Sequence, residues 1–257
     1  MASENTIKMK LNNGGRVIGS WSSIPSTVLI EIIAHSGLDF LVIDAEHGPL
    51  SMETAQEMVR VVHGYATTPL IRVPANEPYL ILRALDIGAQ GVHIPHVSTA
   101  EGARNAVKFS KYRPEGDRGY SPFTRAGRFG LNGVHHAEQV NKNTLVVVHV
   151  EGIEGVRNLK EIIKIEGLDV VFIGPYDLSQ SLGKPGQIKD SEVIKLVQDS
   201  AKLIENSGLV CGSFASDKDY LDILWDCGVR YLTYMVDSAI ILDSYHNIVK
   251  DFNSRGN

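Results

Sequence analysis

Residues 41 to 51 read "LVIDAEHGPLS", so Asp44, Glu46 and His47 fall within four positions, directly after an apolar run and directly before a Gly-Pro break. A neutral imidazole can take up a proton near pH 7, and carboxylates beside it can orient it, so the cluster suits general acid–base work. The same signature recurs twice. His149 and Glu151 end "VVVHVEG", and Asp177 follows Gly174, Pro175 and Tyr176 in "FIGPYDLS". Carboxylates closing two neighbouring parallel strands, about 4.8 Å apart, match the oxygen environment that Mg²⁺ or Mn²⁺ takes, with water completing the shell. A structural alternative stands beside this: Glu151 paired with a lysine, Asp177 capping the next helix. Arg72, closing "PLIR", has the charge to stabilise a developing oxyanion or to pair structurally with Asp44. The turn at Gly174 and Pro175 offers main-chain amides to a carboxylate.

For these residues to meet, the fold must gather the ends of several strands. Eight short β-rich runs are predicted, at Val17–Gly19, Phe40–Ile43, Leu70–Val73, Gly91–Ile94, Leu145–Val150, Val170–Ile173, Leu209–Gly212 and Tyr231–Met235. Most are apolar at consecutive positions, as strands buried on both faces are. Helical patterns lie between them at Thr27–His35, Met52–His63, Ala100–Phe109, Val156–Ile165, Glu192–Ser207 and Asp219–Trp225, with Gly37, Gly167, Gly208 and Gly228 where helices stop. Eight such units in 257 residues predict an α/β fold of (β/α)8 TIM-barrel type, one domain over residues 1–257, with an open doubly wound sheet as runner-up. In a barrel, chemistry collects where strands hand over to the following loops, and that is where Asp44, His47, Arg72, His149, Glu151 and Asp177 all fall. The stretch Tyr112–Gly133, rich in glycine, proline and arginine, is too long and uneven for an ordinary connection.

The formal net charge of −5 provides no basic footprint, so neither nucleic acid nor anionic membrane is expected as a partner. Cys211 and Cys227, without metal-ligand spacing, fit a reducing, cytoplasmic setting. No run approaches the roughly 20 apolar residues of a membrane span. No P-loop or G-x-G-x-x-G element is present, which argues against a nucleotide site. No lysine stands among the strand-end residues, which disfavours Schiff-base chemistry.

Taken in order, "IDAEHGPLS", "PLIRVP", "GAQGVHIPHVSTAEGARNAV", "YRPEGDRG", "VVVHVEGIEGVRNLKEI" and "LDVVFIGPYDLSQSLG" resemble the HpcH/HpaI aldolase family, the metal-dependent class II pyruvate aldolases. The resemblance runs from about Gly19 to Asp237. It implies a barrel that binds Mg²⁺ or Mn²⁺, with Co²⁺ as a further option, holds pyruvate or its enolate on that ion, and makes or breaks a carbon–carbon bond with an aldehyde. The products or substrates are 4-hydroxy-2-oxo acids. It further implies His47 as general base, Arg72 as transition-state stabiliser, with Asp44 beside them, and Glu151 and Asp177 as metal ligands. Asp86, in "LRALDIGAQ", resembles the carboxylate that raises the basicity of the histidine; without the resemblance it reads as a solvated residue near a helix end. Substrate contacts are implied at His149, Gly174, Pro175, Tyr176 and Asp177. The chain departs from the pattern at two of these, since relatives usually carry glutamine at 149 and a small residue at 176.

Asp86 and the Tyr112–Gly133 stretch both follow helices, so in a barrel they face the end opposite the site. A neighbouring subunit would have to supply them, and a homo-oligomer, trimer or hexamer, is expected. Two alternatives remain for the function: a CoA-thioester lyase of the citrate-lyase β-subunit type, and a non-catalytic 2-oxo-acid-binding homologue.

Overall fold

The structure, a computed structural model, describes residues 5–255. A short helix, α1 (Thr6–Asn12), precedes a regular alternation: β1 (Val17–Ser22), α2 (Thr27–Ala34), β2 (Phe40–Asp44), α3 (Met52–Val62), β3 (Thr68–Arg72), α4 (Pro78–Asp86), β4 (Gly91–Ile94) and α5 (Ala100–Ser110). After two 3₁₀ turns come α6 (His136–Asn143), β5 (Leu145–Val150), α7 (Ile153–Arg157), α8 (Leu159–Ile162), β6 (Val170–Ile173), α9 (Pro175–Ser181) and α10 (Ser191–Asn206). The chain closes with β7 (Val210–Ala215), α11 (Lys218–Asp226), β8 (Tyr231–Val236) and α12 (Asp237–Ser254). The strands pair in parallel and in sequence order, and β8 returns to β1 to close the expected (β/α)8 barrel.

The apolar runs are buried because each strand is covered on both sides. Every residue of β2, β5 and β6 is buried. Alternate residues divide between two cores. Phe40, Val42, Leu70, Val147, Phe172 and Tyr231 belong to the inner one, which Ile7 and Leu11 of α1 join. Leu41, Ile43, Ile71, Val146, Val148 and Val171 belong to the other, shared with the surrounding helices. Gly212 makes room inside: a Cβ there would stand 2.8 Å from the Phe172 ring and 3.1 Å from that of Tyr231. The helices begin on the side-chain caps their sequences offer, with Ser51, Thr99 and Asp217 accepting from first-turn amides. Gly37, Gly167, Gly208 and Gly228 follow helices at φ between 86° and 89°.

The structure differs from the sequence reading at several points. Strands β1 and β7 run three residues further, to Ser22 and Ala215, and β3 is Thr68–Arg72 rather than Leu70–Val73. The helix expected over Val156–Ile165 is two, α7 and α8, separated at Asn158, whose side-chain amide is tied to the Ser98 carbonyl at 2.8 Å. The Gly-Pro turn opens α9, with Gly174 as N-cap and Pro175 at the first position, where its fixed φ suits a helix. Helix α12, like α1, α4 and α6, has no counterpart among the predicted elements. Of its residues only Asp237 is buried, while Ile240, Leu242, Tyr245, Ile248, Val249 and Phe252 are exposed. Asp237 ties the last strand to the first: its carboxylate accepts from the hydroxyls of Ser22 and Ser23 and from the amides of Ser23 and Ile24, at 2.9 to 3.1 Å.

Candidate active site

The parallel register of β2 and β3 sets Asp44 directly beside Arg72. Their side chains form a two-pronged pair, Arg72 Nε and Nη2 donating to the Asp44 carboxylate at 2.8 and 2.6 Å. The remaining guanidinium nitrogen lies 3.0 Å from Glu46 as an ion pair, and the guanidinium carbon sits 4.4 Å above the Trp21 ring. Asp44 also accepts from the amides of Glu46 and His47, which turns the chain sharply after β2. Burial by itself would raise the Asp44 carboxyl. The hydrogen bond and charge of Arg72, with the His47 and Glu46 amides, more than offset it and hold the group below the usual carboxylate range.

Glu151, just past β5, is the second fixed carboxylate. One oxygen accepts from His149 Nδ1 at 3.0 Å; the other meets the amide of His96 at 3.1 Å and its Nδ1 at 2.9 Å. Burial raises its pKa, but the His149 hydrogen bond, the electrostatic pull of the adjacent His149 and His96 rings and the His96 amide bring it down to about 2. His96 adopts a left-handed backbone (φ 55°) and also reaches Glu46 at 3.1 Å through Nε2, so it bridges two acids across the mouth. Gly174 lies against Glu151, where a Cβ would stand 2.9 Å from the glutamate Cγ. The glycine is what lets this side chain lie along the wall.

A cavity of about 400 Å³ opens at the C-terminal mouth and is lined by Asp44, His47, Arg72, His149, Glu151, Gly174, Pro175, Tyr176 and Asp177. Nine of the ten residues that the family resemblance implicates therefore meet at one place. His47 and Asp177 are exposed, and the side chain of neither takes a hydrogen bond or ion pair with another described residue. A free imidazole and a free carboxylate thus stand beside the paired Asp44, Arg72, His149 and Glu151. Tyr176 packs edge-on against Phe214 at 5.7 Å rather than closing the opening.

Asp86 is not brought there within one chain. It ends α4 at the opposite end of the barrel, bonded to Arg118 at 2.6 Å, and lines a separate hollow with Arg60, Thr124, Arg125 and Phe129. Both ring nitrogens of His149 are engaged inside the protein, one by Glu151 and one by His93 at 2.8 Å. Several site groups carry no signal in the sequence. Trp21, Ser23, Phe172, Phe214 and Ser238 line the cavity, and Trp21 reads by its spacing as ordinary core. His93 lies within a four-residue apolar strand and its spacing marks only the strand's inner face.

Glu151 and Asp177 pass the chemical test for a divalent ion. One is a buried carboxylate held ionised and the other is an exposed, unpaired one on the same cavity wall; both are the hard oxygen donors that Mg²⁺ and Mn²⁺ prefer. No group of three or more His, Cys, Asp or Glu able to enclose a metal stands among the described residues, so water and substrate oxygens would have to complete the shell.

A closed parallel barrel that gathers acid, imidazole and guanidinium groups at its C-terminal mouth has the layout of a TIM-barrel enzyme. The chain belongs to the HpcH/HpaI aldolase/citrate lyase family, whose model matches residues 18–239. It is similar to a hydroxypyruvate/pyruvate aldolase of Roseobacter denitrificans, 34% identical with 95% of each chain covered. It is 37% identical to a 2-keto-3-deoxy-L-rhamnonate aldolase of Escherichia coli K12, over 98% of this chain and 95% of that one. Among solved structures it superimposes on an HpcH/HpaI aldolase/citrate lyase family protein from Burkholderia cenocepacia with a TM-score of 0.92 and 30% identity, covering 97% and 99% of the two chains. The chain is accordingly a lyase of the class II aldolase type.

Proposed function

We propose that this chain condenses pyruvate with an aldehyde, and cleaves the resulting 4-hydroxy-2-oxo acid, with Mg²⁺ or Mn²⁺ held by Glu151 and Asp177. The observation that carries the reading is the joining of those two carboxylates, one buried and one free, with Arg72 and an unpaired His47 around a single cavity. The ion, when bound, supplies Lewis-acid withdrawal from a 2-oxo acid.

The protein's own groups do the rest. The main-chain amides of Tyr176 and Asp177, in the first turn of α9, receive the substrate carboxylate at a helix N-terminus. Arg72, locked by Asp44 and Trp21, presents positive charge where the enolate oxygen develops, and being already oriented it needs no reorganisation during reaction. His47, exposed and unengaged, takes the proton from the 4-hydroxyl in cleavage and delivers it to C3 of the resulting enolate; in synthesis it takes the C3 proton of pyruvate and returns it to the new alkoxide. Trp21 and Phe172 form an apolar wall that limits water around these groups. The aldolase names carried by relatives at 34% and 37% identity support this over CoA-thioester cleavage.

Two features support a homo-oligomer, trimer or hexamer: the exposed apolar side chains of α12, and the placing of Asp86 at the far end from the mouth. A neighbouring copy would bring Asp86 near His47. The buried free thiols of Cys211 and Cys227 support a reducing, cytoplasmic setting, and among the described residues no helix is long and apolar enough to cross a membrane.

The test is exchange of pyruvate methyl protons in D₂O, followed by NMR with no aldehyde present. Exchange is expected only with Mg²⁺ or Mn²⁺ and is expected to fall roughly 100-fold in Glu151→Gln, the size of effect typical of a damaged metal site. Exchange that survives chelation, or a covalent pyruvate adduct trapped by borohydride, overturns the reading.

A further inference from the structure

Behind Glu151 a chain of hydrogen bonds crosses the inside of the barrel. Tyr231 stands on β8 and His93 on β4, opposite positions in an eight-strand ring, and the Tyr231 hydroxyl meets His93 Nε2 at 2.8 Å. His93 Nδ1 meets His149 Nε2 at 2.8 Å, and His149 Nδ1 meets Glu151 at 3.0 Å. Tyr231 and His93 are fully buried and His149 is 1% exposed, so none of the three exchanges partners with bulk water. Trp21 and Phe172 wall the rings in: His149 stacks on Phe172 at 4.6 Å, and Trp21 stands edge-on to both imidazoles at 5.3 and 5.9 Å.

We propose that Tyr231, His93 and His149 act as a positioning chain that fixes, from within the barrel, how the Glu151 carboxylate faces the cavity. This rests on the metal-ligand role given to Glu151 above. The direction of the chain follows from its end. An ionised carboxylate can only accept, so His149 carries its proton on Nδ1. With one proton on each ring, His149 Nε2 accepts from His93 Nδ1–H, and His93 Nε2 accepts from the Tyr231 hydroxyl. Every polar atom of the three side chains is thereby used in one direction. Burial, with His149 and Arg72 nearby, keeps the pKa of His93 well below the usual histidine value, in accord with a neutral ring. A chain of this kind costs Glu151 rotational freedom before any ligand arrives, which is what partners behind a metal-binding carboxylate supply. It also leaves His149 no nitrogen for substrate or metal, so its part in the reaction is through Glu151.

Three variants and one spectrum test the proposal. His93→Leu cuts the chain, whereas His93→Gln keeps it, since its amide N–H can donate to His149 and its carbonyl can accept from Tyr231; Tyr231→Phe removes only the last donor. Titrated with Mn²⁺ and followed by EPR, His93→Leu is expected to bind roughly 10- to 100-fold more weakly than the unaltered protein, and His93→Gln within about threefold of it. Tyr231→Phe should fall between them. Imidazole ¹⁵N spectra of the unaltered protein should show His93 and His149 both protonated at Nδ1. His149 protonated at Nε2, or His93→Leu binding as tightly as the unaltered protein, overturns the chain. Should His93→Leu fail to fold, the spectrum and Tyr231→Phe decide. If the unaltered protein binds no Mn²⁺, the proposed function fails instead, and the spectrum alone judges the chain.

Discussion

The barrel carries an aspartate–arginine pair at each end, and the two are built differently. At the C-terminal mouth Asp44 and Arg72 sit in register on adjacent strands, share two hydrogen bonds, and leave the last guanidinium nitrogen beside Glu46. At the opposite end Asp86, on the last turn of α4, meets Arg118, from the irregular segment, through one hydrogen bond of 2.6 Å. The Arg118 side chain is wholly buried against the Tyr112 ring, and among the described residues its Nε and Nη1 have no hydrogen-bond partner. Strand register alone completes the first pair within one chain. The second depends on a long loop folding back on a helix end, and it stays incomplete, which accords with the proposed contact of a neighbouring copy there.

This contrast can be broken at either end. The largest effect is expected from Arg72→Lys, because an ammonium cannot reproduce the planar two-pronged grip or the position over Trp21. Turnover should fall about 10²- to 10³-fold while the thermal midpoint stays near that of the unaltered protein; steady-state rates beside a melting curve read both, and a loss under tenfold would reduce the mouth pair to a structural role. At the other end, Asp86→Asn leaves the Arg118 cation buried without a counter-charge, and a penalty of about 3 kcal/mol is expected. That should appear as a lower melting temperature and, by sedimentation, as a weakened assembly, with Mn²⁺ affinity unaltered. A matching loss of Mn²⁺ affinity would erase the distinction between the two ends.

The smallest effect is that of pH. The Asp44 and Glu151 carboxyls both have folded-state pKa values below their ordinary ones, that of Glu151 at about 2 against 4.5. Each therefore contributes stability that is fully present above its ordinary value and is lost as pH falls through the folded one. Denaturant melts should show a steady decline from pH 4.5 down to about 2 that Glu151→Gln makes shallower. An unchanged slope would mean that His149 and His96 do not hold the carboxylate ionised.

How much of this is legible in the sequence follows from the physics of each signal. Strands β2, β4, β5 and β6 can be placed to within a residue because runs such as "FLVI" and "LVVVHV" are both β-prone and buried on both faces. Helix α12 is not legible, since its apolar residues match no face within this chain. Nor is α9, whose opening Gly-Pro reads equally well as a turn. At the site, polar residues placed just after apolar runs stand out as a rim, so the linear order of residues suffices to gather His47, Arg72, Glu151 and Asp177. His93 and Tyr231 do not stand out, because each occupies an inward strand position that a buried apolar residue would fill as readily.

The order of amino acids determined by itself the eight alternating units, the polar rim and the family, because hydrophobic period and strand-end chemistry are local properties of the chain. Tertiary structure alone decided that Asp44 grips Arg72 with both oxygens, that His96 bridges two acids and that a tyrosine on β8 reaches a histidine on β4. Those contacts join residues up to 138 positions apart in the chain. Only closure of the ring, which sets register and brings opposite strands within one hydrogen-bonded network, gives them a distance.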